Sequence, residues 1–293
     1  MMDNINKTIK ENEFKLFFFI TLTTVIILFL GYLISDMLNL GSIGIIISGI
    51  IAAGTNFISY FFSKDMVLKS QRAIPMDRNA YPEYFNMVKN LCEQNNIILP
   101  ELYYIESPAL NAFATGRNQK NAAVVVTSGL LKQVPMDELS GIIGHELSHI
   151  VHKDIMVMSF ITTLVGFMTI FASTLRNQST YNRYNREGNA SALTMIVGAA
   201  AAILAPIAGM LIQMAVSRSR EYMADATGGQ ICGNPKLLAK ALYRISHDGN
   251  SMPMANSATA PLYIANPLKK NVLTNLFSTH PDIEDRINRL NAM

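Results

Sequence analysis

Charged residues make up only 15 % of this 293-residue sequence, against 50 % apolar ones, a deficit too large for an ordinary soluble domain of this length. With a mean hydropathy of +0.23, the composition points to a membrane protein. Cysteine is nearly missing as well. Cys92 and Cys232 stand far apart and outside any CxxC spacing, so no disulfide framework is implied and both read as free thiols in a reducing compartment. A dense basic stripe is also lacking. The 24 Lys and Arg and 21 Asp and Glu leave a net charge of +3 without clustering, so no nucleic-acid partner is expected. No internal repeat is found.

What is abundant is long apolar sequence. Residues 16–34, LFFFITLTTVIILFLGYLI, run for 19 positions without a charge, enough to cross a hydrocarbon core of about 30 Å at about 1.5 Å per helical residue. Residues 40–62 form a second candidate span, with Gly44 and Gly49 suited to close packing and Asn56 as its strongly polar interior residue. The two read as a tight hairpin. Lys7, Lys10 and Lys15 precede it, Lys64, Lys69 and Arg72 follow it, and the connecting loop carries Asp36 but no Lys or Arg. Both ends are therefore expected on the cytoplasmic side.

Residues 64–154 read as soluble, with Tyr84, Phe85, Val88, Leu91 and Cys92 at helical spacing and short β-prone runs ELYYIE and AAVVVTSG. Two further apolar runs, 155–175 and 192–216, flank a polar loop containing Arg176, Arg183 and Arg186. They suggest a second hairpin, but a basic loop on the far side runs against the positive-inside tendency. Full spanning and a half-inserted or protein-packed hairpin both stay open. Residues 217–293 return to soluble character, with a helix begun by Pro235 and a final amphipathic helix carrying Ile283, Ile287 and Leu290.

The stretch HELSHIVHKD, residues 145–154, carries the chemistry. His145 and His149 are one helical turn apart on one face, so both imidazoles can reach one ion at about 2.0 to 2.1 Å. Glu146, rotated by about 100°, is placed to act on a water activated by that ion. His152 shares the histidine face but would lie about 10 Å along an unbroken helix from His145, too far to join the same ion. Asp154 reads as a charge at the membrane boundary. A catalytic metal needs a third protein ligand. The candidate is Glu221, 72 residues past His149, with Asp225 one turn later to accept a hydrogen bond from a ligand imidazole. A hydrophobic hairpin returning the chain to its starting side would bring these groups together. A rival reading, a zinc site that only clips two helices of a membrane scaffold, has no use for Glu146.

HELSH at 145–149, an apolar hairpin, REYMAD at 220–225 and STHP at 278–281 with Arg286 together resemble the HtpX-type membrane zinc endopeptidases, relatives of the CAAX prenyl endopeptidases. The resemblance covers nearly the whole chain. It implies a mainly α integral membrane protein with about four transmembrane helices and a cytoplasmic α+β zincin-type protease domain carrying a small sheet. The parts would be a tail and hairpin (1–63), the first protease segment (64–154), a second hairpin (155–216) and the second protease segment (217–293). One Zn2+ per subunit is implied, held by His145, His149 and Glu221, with catalytic Glu146 and supporting Asp225. His280 and Arg286 would lie at the active-site rim, stabilising the tetrahedral intermediate or the substrate carbonyl. Asn111, in NAFATG, would face the substrate. In HExxH proteases an edge strand binds the peptide by β-augmentation, and Ala123, Val124 and Val125 are the expected strand. The implied setting is a multi-pass protein of the plasma or inner membrane, acting on protein substrates in the quality control of misfolded membrane proteins. The residues 177–191 and 247–272 depart from the family.

Overall fold

The structure is a computed structural model that describes residues 2–37, 39–184, 207–215, 217–252, 254–268 and 281–293. Its first helix, α1 (Met2–Met37), is 36 residues long, about 54 Å at 1.5 Å per residue. That exceeds a bilayer core, so the charged first turns project beyond it. A turn leads to α2 (Ser42–Phe61). Both helices are long and apolar enough to cross a membrane. They pack closely because side chains are missing at the crossing: a Cβ on Gly31 would collide with Ser48, and one on Gly44 with Ser35. Asn56 faces its partner helix, accepting from Thr23 Oγ1 at 2.8 Å and donating to Thr24 Oγ1 at 2.9 Å. Outward, Phe17, Phe29, Ile43, Ile46 and Ile50 are exposed, as suits a surface solvated by lipid tails.

The chain then forms α3 (Ser63–Ser70), β1 (Ile74–Pro75), α4 (Pro82–Gln94), β2 (Glu101–Ile105), β3 (Ala112–Gly116) and β4 (Ala122–Thr127). The sheet order is β1-β2-β4-β3. β2 and β4 run parallel, and the other two pairs are antiparallel. β4 is therefore interior, with both hydrogen-bonding edges used and every residue buried, which explains its unbroken apolar run. Val124 and Val126 pack on one face with Val88 and Leu91. Ala123 and Val125 pack on the other with Leu16 and Phe19 of α1 and Phe160 and Ile161 further along the chain.

After α5 (Ser128–Gln133) come α6 (Met136–Val151) and α7 (Asp154–Tyr184). The unbroken helix on which the sequence places His145 and His152 ends here: the axes of α6 and α7 differ by 84°, and the chain turns at Lys153, whose φ of 59° lies in the left-handed region that usually selects glycine at a helix end. α7 also continues through Arg176 and Arg183, where a loop was expected. If the bent pair counts as one span, the described residues offer three candidate spans, otherwise two. The stretch 192–206 of the expected fourth helix lies outside the described residues. The chain closes with α8 (Arg218–Ile231), α9 (Pro235–Ser246) and α10 (Ile283–Asn291).

α6 and α8 touch backbone to backbone. A Cβ on Gly144 would lie 2.5 Å from the Gly228 carbonyl oxygen, and one on Gly228 would lie 2.6 Å from the His145 nitrogen. Glycine in mid-helix costs about 1 kcal/mol relative to alanine, and here it allows the two site-bearing helices to meet.

Candidate metal centre

His145, Glu146 and His149 come from α6, and Glu221 and Asp225 from the helix it crosses, α8. His145 Nε2 and His149 Nε2 are 3.1 Å apart, and Glu221 lies 3.8 Å from the first and 4.0 Å from the second. Two nitrogens bound tetrahedrally at about 2.0 to 2.1 Å would stand about 3.3 Å apart. His145, His149 and Glu221 offer one ligand atom each, all within 4.8 Å of one another.

The other ring nitrogens test the fit. His145 Nδ1 is 2.9 Å from Asp225 Oδ1 and His149 Nδ1 is 3.0 Å from Asp154 Oδ2. Ionised carboxylates only accept, so the His149 bond puts a proton on its Nδ1, and the close Asp225 contact favours the same at His145, though without a well-formed hydrogen bond there. With both rings neutral, two bare Nε2 lone pairs face each other beside the Glu221 carboxylate, an arrangement that a divalent cation relieves; without a cation, burial at His149 is outweighed by Asp154 and Glu221, which raise its pKa and favour a proton there. Burial holds the His145 pKa below its usual value despite Asp225, which favours the neutral, ligand-ready ring.

Glu146 is 1 % exposed, and neither of its oxygens has a well-formed hydrogen bond among the described residues. Burial raises its pKa to about 7, opposed by His149, Arg286 and the Ala114 main chain. A cavity of about 20 Å³, bounded by Ala114, His145, Glu146, His149 and Glu221 among others, adjoins it and has room for about one water. A carboxylate of near-neutral basicity beside space for one water is suited to general-base chemistry.

Arg286, expected at the rim, is instead 1 % exposed and does not border the cavity. It grips Asp225 with two bonds, Nε to Oδ2 at 2.8 Å and Nη2 to Oδ1 at 2.7 Å, and gives Nη1 to the Ile264 carbonyl at 2.9 Å. Burial alone would raise the Asp225 pKa, but Arg286 and His145 bring it down to about 2. His280 lies outside the described residues.

The substrate-strand expectation needs correction. Ala123, Val124 and Val125 belong to interior β4, which has no free edge for a peptide. The outer strands are β1 and β3, and it is β3 whose Ala114 borders the cavity. The chain itself occupies part of that edge. Tyr263 bridges Phe113 in antiparallel fashion, and the Ile264 amide donates to the Ala112 carbonyl at 2.9 Å. Pro261, Leu262, Tyr263 and Ile264 wall the cavity. Asn111 does not border it. Its Nδ2 donates to the Ala265 carbonyl at 2.9 Å, holding this segment in place.

Sequence reasoning missed Asp154 as a partner of His149, Arg220 beside Glu221 at 3.3 Å, and the Gly144–Gly228 contact. A glycine directly before HELSH and another within a predicted helix were the available signals for that contact. Nothing local marked Asp154. His152 is buried, with neither ring nitrogen hydrogen-bonded among the described residues, and takes no part in the convergent cluster.

The profile of peptidase family M48 matches residues 84–293. The chain is 42 % identical over 257 residues to a protein named Protease HtpX homolog from Burkholderia multivorans, covering 86 % of this chain and 88 % of that one. It is 43 % identical, with the same coverage, to the Protease HtpX homolog of Burkholderia cenocepacia. The crystal structure of S. mikatae Ste24p matches with a TM-score of 0.48 at 18 % identity, over 97 % of this chain and 66 % of the Ste24p chain.

Proposed function

This chain belongs to peptidase family M48, and from that membership we propose that it is a membrane-bound zinc endopeptidase hydrolysing peptide bonds with an activated water. The observation that carries the reading is the convergence of His145, His149 and Glu221 beside the poorly partnered Glu146 carboxylate. His145, His149 and Glu221 would hold one zinc ion per chain, which would supply a Lewis acid to acidify a water and polarise the scissile carbonyl. Glu146 takes the proton of the attacking water and passes it to the leaving amine. Asp225 fixes His145, Arg286 acts through Asp225, and His280 is assigned to the developing oxyanion.

The peptide pairs with the outer edge of β3 at Ala114, by β-augmentation. Because Tyr263 and Ile264 lie against that edge, residues 261–265 withdraw when substrate binds. Asn12, four residues before the charge-free run of α1, touches Asp154, which supports a site about one helical turn from the membrane surface. Substrates on this reading are exposed portions of misfolded or damaged membrane proteins. The lysines and arginine flanking the first hairpin support a cytoplasmic active site in a multi-pass plasma or inner membrane protein.

The test is metal removal and return. Purified protein in liposomes is stripped with a chelator and offered an unfolded protein and a membrane-anchored one. Cleavage should vanish on stripping and return with about one zinc per chain; cleavage that persists in metal-free protein contradicts the reading.

A further inference from the structure

The carboxylates behind the two histidines are held differently. Asp225, behind His145, is neutralised by Arg286. Asp154, behind His149, is 2 % exposed and accepts from the Asn12 amide at 2.7 Å through its other oxygen. Asn12 belongs to α1, 142 residues away. Its Nδ2 also donates to the His152 carbonyl at 2.9 Å, the acceptor exposed where α6 ends. One amide from the membrane hairpin therefore ties down both the helix break and the carboxylate behind His149.

The break is what allows the contact. On a continuous helix, Asp154 would stand about 7.5 Å along the axis from His149 and rotated by about 140°, out of reach of its ring. The left-handed Lys153 turns the chain so that Asp154 comes beneath the imidazole. A simpler reading would make Asp154 an acidic residue favouring the start of α7. Yet both of its oxygens are committed away from that helix, and none accepts from an α7 amide among the described residues. Asn12 is a neutral donor and the buried Arg220 is a nearby cation, so Asp154 meets the imidazole as a carboxylate and accepts from Nδ1.

We propose that Asp154 is a positioning residue that fixes His149 with Nδ1 protonated and Nε2 toward the metal, and that Asn12 holds Asp154, making helix α1 part of the metal centre. This rests on the metal-site reading above. The test uses full-length protein in detergent, with zinc affinity from chelator competition and, separately, the melting temperature of the metal-free form. Asp154→Asn should bind zinc about 10- to 100-fold more weakly with the metal-free melting temperature nearly unchanged. Asn12→Leu should show a smaller loss in the same direction. The double variant should be no weaker than Asp154→Asn, because the two act through one contact.

Wild-type affinity in Asp154→Asn overturns the proposal, as does a loss that merely follows a lower metal-free melting temperature. Losses that multiply in the double variant overturn the link to Asn12. If Asp154→Asn does not fold, Asn12→Leu decides alone: weaker zinc binding at unchanged metal-free stability supports the link, and unchanged binding overturns it. A wild-type protein that binds no zinc would instead fail the metal-site reading itself.

Discussion

Glu146 is kept at a thermodynamic disadvantage when no cation is near it. Its folded pKa of about 7 stands above the unfolded value of about 4.3. Between these values the native state holds the extra proton, so stability falls as pH rises through this window and then stays lower. Metal-free Glu146→Gln should therefore melt higher than metal-free wild type above pH 7, by an equivalent of about 4 kcal/mol. The gain should disappear below about pH 4. Thermal melts of the two proteins across pH check this, and a pH-independent difference would contradict the assignment. Arg286 acts in the opposite sense: Arg286→Met leaves Asp225 charged and buried and should cost about 3 to 5 kcal/mol, read from the same melts. The residues of HELSH and REYMAD were legible because their chemistry is written at helical spacings of three and four. Asp154, Asn12 and Arg286 were not readable as partners, since their roles depend on contacts between segments far apart in sequence.

Helix contact and strand order decide how these residues meet. The Gly144–Gly228 crossing brings α8 against α6, so Gly228→Val should push the helices apart. A cost of about 1 to 3 kcal/mol and weaker zinc binding are expected, whereas Gly249→Ala, where a Cβ meets nothing within 4 Å, should change neither. The occupied edge of β3 gives a kinetic prediction. Tyr263→Phe removes the bond from Tyr263 Oη to Gln71 Oε1 at 2.7 Å and should loosen the segment that a peptide is proposed to displace. KM should fall with kcat nearly constant; a rise in KM would show that the segment helps to bind substrate. The amphipathic α9 and α10 were visible in their apolar periodicity. The bend at Lys153 was not, because a lysine stands where a glycine would have signalled it. The edge strand was misread because strand order is a non-local property: AAVVVT is strongly β-prone, and its apolar character reflects burial on both faces.

At the scale of the whole molecule, the sheet lies between two cores, and the membrane hairpin supplies part of one of them. Leu16 and Phe19 of α1 share that core with Phe113, Val125 and Phe160. The hairpin itself was plain from hydropathy, but its packing against the sheet was not, because an apolar run reads alike whether it meets lipid or protein. Deleting residues 1–63 should therefore leave a remainder that is aggregated or loosely folded instead of a soluble protease, as judged by size-exclusion chromatography and zinc affinity. A monodisperse, tightly zinc-binding remainder would show that the hairpin is only an anchor. On the proposed function, His145, His149 and Glu221 hold one zinc on which Glu146 works as the base. The most direct test is the rate of cleavage of an unfolded protein by wild type and Glu146→Gln at matched zinc occupancy in liposomes. Equal zinc content with cleavage by the variant reduced at least 100-fold is expected; equal zinc content with equal cleavage would overturn the proposed function.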